Sequence, residues 1–99
     1  MGLPVVHFEI GSAAASELRE FYASAFGWKI DVDAGGYADI RTEGTCPGTG
    51  FPGIDGGIAP DSEDFVTFYV QVSDVAAAPA MFADPRGNRI GLVRAALLA

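Results

Sequence analysis

His7 and Glu9 stand two residues apart in the run Val6-His7-Phe8-Glu9-Ile10. On an extended strand that spacing puts both side chains on one face. A carboxylate beside an imidazole can orient it and raise its basicity, as a general base requires. Glu9 is therefore a candidate catalytic residue, with no second group nearby in sequence to complete the set. His7 is the one histidine of the chain, and because neutral imidazole is a common metal ligand it is also the candidate metal ligand. A second alternating run, Phe65 to Val72, sets Thr67, Tyr69 and Gln71 against Val66, Phe68, Val70 and Val72. If the apolar faces pack beneath helices, His7, Glu9, Thr67, Tyr69 and Gln71 line a concavity suited to a small ligand. The alternative, ordinary solvent-facing strand residues, stays open at this point.

Other motifs carry less. Gly48-Thr49-Gly50-Phe51-Pro52-Gly53 matches G-x-G-x-x-G, yet the dinucleotide fingerprint needs a strand before it and a helix after it, and Pro52 denies the helix. Cys46 lies in a glycine-rich loop with no second histidine available to activate it, so it reads as an incidental thiol. No G-x-S-x-G elbow is present. Asp61, Glu63 and Asp64 read as a solvated linker run.

The 99 residues, 49% of them hydrophobic, suit one domain with one core. A net charge of −7 repels a phosphate backbone and an anionic bilayer surface, so neither nucleic acid nor membrane is expected as a partner. A single cysteine excludes a disulfide framework and fits a reducing, cytoplasmic setting. Residues 1–7 show no basic stretch leading into an apolar one, so no leader is expected, and no apolar run reaches the ~20 residues of a bilayer span.

The elements that must position these residues follow from periodicity. Val5 to Ile10 is a strand. Ser12 to Phe26 places Ala14, Leu18, Phe21, Tyr22, Ala25 and Phe26 on one helical stripe; Ser12 or Ser16 can cap its start and Gly27 its end. Trp28 to Val32 and Tyr37 to Thr42 form a hairpin through Ala34-Gly35-Gly36. Glu43 to Gly53 is loop, and Ile54 to Ala59 a weaker strand. After the linker at residues 60–64 come the Phe65 to Val72 strand, then Met81 to Ala83 and Arg89 to Arg94, joined by the turn Asp84-Pro85-Arg86-Gly87-Asn88.

Taken in order, Val6-His7-Phe8-Glu9-Ile10, Phe21-Tyr22 before Phe26-Gly27-Trp28-Lys29, and the final hairpin from Met81 to Val93 with its DPxGNxxGL pattern resemble the vicinal oxygen chelate superfamily of glyoxalases, bleomycin-resistance proteins and extradiol dioxygenases. The match is to its little-characterised bacterial glyoxalase-like branch. The resemblance implies an α+β fold of paired βαβββ modules forming an open curled sheet, module 1 at about residues 4–59 and module 2 at about 65–95, with a homodimer as the usual assembly. It also implies a site on the curled face. In the metal-dependent members His and Glu from four strands hold a divalent ion such as Zn, Ni, Fe or Mn, and His7 takes the first imidazole position. Matching strand to strand places Thr67 at the second histidine position and Gly91 at the last glutamate position. The fourth strand offers Asp55, earlier than the family's carboxylate.

Two functions follow. One is a metal-dependent lyase, isomerase or dioxygenase acting on a small molecule, with an ion held partly by His7. The other is a metal-free, drug-type binding protein of the bleomycin-resistance kind, holding a cationic or aromatic molecule among residues such as Trp28, Tyr69 and Phe51. The substituted ligand positions favour the second, and whether the chain is an enzyme stays open. The second module also departs from the pattern. Between Asp74 and Met81 it lacks room for the expected helix and strand, roughly 20 to 30 residues, which leaves either a true deletion or a junction across a missing segment.

Overall fold

The structure is a computed structural model that describes residues 2–73 and 80–94. Its elements run β1 (Val5–Gly11), α1 (Ala15–Phe26), β2 (Lys29–Val32), β3 (Ala38–Arg41), β4 (Asp55–Ala59), β5 (Phe65–Val72), β6 (Ala80–Ala83) and β7 (Arg89–Arg94). The strands form one mixed seven-stranded sheet in the order β2-β3-β4-β1-β5-β7-β6. Each expected strand is present, with its ends unchanged or moved by one residue. The Asp74–Met81 question falls mainly outside the described residues.

The register gives the sheet an internal two-fold. Strand β1 pairs parallel with β4, which pairs antiparallel with β3. In the second half β5 pairs parallel with β7, and β7 antiparallel with β6. The halves meet where β1 and β5 run antiparallel, with Phe8 opposite Phe68, His7 opposite Tyr69 and Glu9 opposite Thr67. Phe8 and Phe68 thus lie on the axis, His7 is the counterpart of Thr67, and Glu9 that of Tyr69. Because side chains alternate across a strand, Ile10, Phe8, Phe68 and Val66 share one face, and His7, Glu9, Thr67 and Tyr69 the other.

Helix α1 covers the first half of the apolar face. Ile10, Ala15, Ala38, Ile40 and Ile58 form the core, with Phe8, Leu18, Tyr22, Trp28 and Ile30 packed on it. Full burial of Ile40 and Ile58 stabilises by about 1.5–3 kcal/mol each. Two helix expectations change. Neither serine is the N-cap: the helix begins after Ala14, and Ser12 Oγ accepts the Ala14 N–H at 2.9 Å just outside it. The buried stripe also turns, since Ala15 is inside while Phe21 and Phe26 are 57% and 60% exposed. Gly27 ends the helix as expected, with φ 72° and its N–H on the Ala23 carbonyl.

Candidate functional site

On the face opposite α1, four side chains converge. The Tyr37 hydroxyl donates to Glu9 Oε1 at 3.1 Å, and the Tyr69 hydroxyl donates to Glu9 Oε2 at 3.3 Å. His7 Nε2 lies 3.3 Å from Tyr37 Oη, and its ring meets that of Tyr69 edge to face at 5.5 Å. A phenol has one proton to give. With that of Tyr37 on Glu9, Tyr37 Oη is free to accept from His7 Nε2 when that nitrogen carries the ring proton.

Local sequence places each member. His7 and Glu9 share the odd-numbered face of β1, and the β1–β5 register sets Tyr69 beside His7. Tyr37 comes from the β2–β3 turn, where Asp33 Oδ1 accepts the N–H groups of Gly35 and Tyr37 at 2.9 and 3.0 Å. Gly36, at φ 91°, supplies the left-handed residue the turn needs. Sequence reading passed over Tyr37 because it lies at a hairpin edge; the Asp-x-Gly-Gly-Tyr spacing was the available signal.

Two glycines make the cluster possible. Gly57 on β4 stands opposite Glu9, and Gly91 on β7 stands opposite Tyr69. By the internal two-fold they are counterparts. A Cβ on Gly57 would collide with the Tyr37 hydroxyl, and one on Gly91 with the Tyr69 ring. Each glycine therefore leaves the space a tyrosine ring fills. Asp55, the side-chain oxygen expected from this strand, lies two residues before Gly57 on β4, opposite His7. Asp55 instead accepts the Thr42 N–H at 3.0 Å.

The electrostatics follow from partial burial among acids. Desolvation lowers the His7 pKa, and Glu9, Asp39 and Asp55 oppose that by attracting a proton. Burial first, and then the Glu9 charge and hydrogen bond, push both Tyr37 and Tyr69 above the ordinary phenol value. Both phenols are thus held protonated as donors. Nearby arginines are engaged elsewhere: Arg41 with Asp31 and Glu43, Arg89 with Glu63 and over the Phe65 ring.

The remaining expected pocket residues are spread out. Thr67 is buried and its hydroxyl donates to the Arg89 carbonyl. Gln71 is half-buried, with its backbone N–H on the Pro4 carbonyl at 2.9 Å. Trp28 does not join Tyr69. It packs on the other face against Phe8, Tyr22 and Phe26, because its position just after α1 returns it to the helix side. Phe51 is exposed in the Glu43–Gly53 loop, as is Cys46.

A divalent ion finds no fitting donor set here. Thr67 is turned to a carbonyl, and Gly57 and Gly91 have no side-chain donor. Among the described residues no group of three His, Cys, Asp or Glu converges as a metal site. A groove of about 580 Å³ lies away from the cluster, between the start of α1 and the β1 and β5 strands.

Comparison with known proteins gives the fold and nothing finer. No family model matches the chain, and no curated protein does. No helix among the described residues is long and apolar enough to cross a membrane. A solved structure, a hypothetical protein from Staphylococcus aureus, superposes with a TM-score of 0.65 at 12% identity, over 93% of this chain and 34% of that one. The chain thus spans about a third of the length of a protein whose fold it resembles, and is an α+β domain built on a mixed sheet with one described helix.

Proposed function

We propose that this chain is a vicinal oxygen chelate-type domain of the metal-free, ligand-binding kind, whose site is the His7–Tyr37–Glu9–Tyr69 cluster and whose ligand is a small cationic molecule. The observation that carries the reading is the replacement of ligand-bearing positions by Gly57 and Gly91, with tyrosine rings laid over both and aimed at Glu9. Two phenols hold the Glu9 carboxylate from either side, one hydrogen bond to each oxygen. Glu9, Asp39 and Asp55 all act on His7, and a neutral imidazole and two phenol rings add the electron-rich surfaces that cations favour. The half-buried setting strengthens such attraction relative to open water.

The sequence motifs and the two-fold of the sheet support the superfamily assignment. The β6 edge, Ala80–Ala83, carries no charge to discourage strand addition, which supports pairing with a second copy; light scattering reads this as a dimer mass.

The test is a thermal-shift panel on chelator-treated protein, using arylalkylammonium ions and their neutral alcohol analogues. Stabilisation by ammonium ions that Glu9→Gln reduces fits the proposal. Stabilisation only after a divalent metal is restored would return the chain to the metal-dependent reading.

A further inference from the structure

The helix face holds a concavity that the cluster does not use. Its floor is Ile10, Leu18, Tyr22 and Val66, and its volume of about 580 Å³ lies within the range of small-molecule sites. It exists because α1 covers only the first half of the apolar face. Beyond it Val66 remains 74% exposed and Phe68 40% exposed, and no helix among the described residues lies over them. Isolated exposed apolar residues are ordinary, but Val66 here shares one groove with Ile10, Leu18 and Tyr22.

Its polar groups are of one sign. Glu17, on the first turn of α1, and Asp64, just before β5, both line the groove, and no Lys, Arg or His lines it. Among the described residues neither carboxylate has an ion-pair partner, whereas Asp31, Glu43 and Glu63 do. The helix dipole accounts for an acid at Glu17. It does not account for Asp64, which comes from a different element to the same rim. Ser12, the buried hydroxyl of the lining, is already bonded to the Ala14 N–H.

We infer that this groove is a second binding site, distinct from the cluster, for an amphipathic cation: an aryl or alkyl tail on the Ile10–Leu18–Tyr22–Val66 floor and an ammonium group between Glu17 and Asp64. The tail removes apolar surface from water, and the charge pairing selects the amine.

The test is a titration of the full chain with 4-phenylbutylamine, followed through backbone amide NMR shifts, with 4-phenylbutanol as the neutral control. Saturable shifts centred on Gly11, Leu18, Phe65 and Val66 are expected, weaker with the alcohol. Glu17→Gln with Asp64→Asn should weaken the amine on the order of fivefold while leaving the alcohol unchanged. Glu9→Gln should leave these shifts in place, which separates this site from the cluster. Shifts confined to His7, Glu9 and Tyr69, equal binding of amine and alcohol, or no saturable shift would each overturn the inference.

Discussion

The hydroxyl of Tyr37 occupies the space that any side chain on Gly57 would need. Gly57 also stands opposite Glu9 across the β1–β4 pair, so the same residue that lacks a donor admits the ring whose proton Glu9 accepts. Gly57→Ala is expected to destabilise the fold by about 1–3 kcal/mol through overpacking. Denaturant unfolding measures this, and Tyr37→Ala in the same chain should recover part of the loss, a non-additivity that identifies the pair.

Glu9→Gln bears on the phenols. The Glu9 charge raises both Tyr37 and Tyr69, beneath a larger contribution from burial. Removing the charge should bring both tyrosines down in an ultraviolet tyrosinate titration, without returning them to the ordinary phenol value, because the burial remains.

His7 makes stability depend on pH. Its folded pKa lies below the ordinary 6.5, so the unfolded chain binds the proton more readily. The penalty begins as pH falls through 6.5, is complete below the folded value, and is absent above 6.5. His7→Gln should flatten that part of the profile. An unchanged slope in urea unfolding between neutral and mildly acidic pH would contradict the assignment.

Ile58, fully buried between α1 and the sheet, reports on the core alone. Ile58→Ala is expected to cost about 2–5 kcal/mol, measured as a lower unfolding midpoint.

The succession of strands along the chain was legible, and in Val5 to Ile10 and Phe65 to Val72 clean alternation also fixes the faces. It put His7, Glu9 and Tyr69 on one face, where their side chains meet. It could not place Tyr37 or exclude Trp28, since both depend on how a turn returns the chain to one side of the sheet, and periodicity says nothing about that. The helix stripe was right in part: Leu18 and Tyr22 pack on the core, whereas Phe21 and Phe26, apolar at the same spacing, stay exposed and Ala15 is buried instead. Gly57 and Gly91 illustrate a third limit. A glycine in a strand announces close approach of something, but only the register shows that the visitors are Tyr37 and Tyr69.

The most direct test of the central claim is calorimetric titration of the purified, chelator-treated chain with Zn(II), Ni(II), Fe(II) and Mn(II), with His7→Ala as control. The account predicts no stoichiometric binding that depends on His7, because Gly57, Gly91 and Thr67 supply no ligands. Tight one-to-one binding abolished in His7→Ala would contradict it and establish a metal centre.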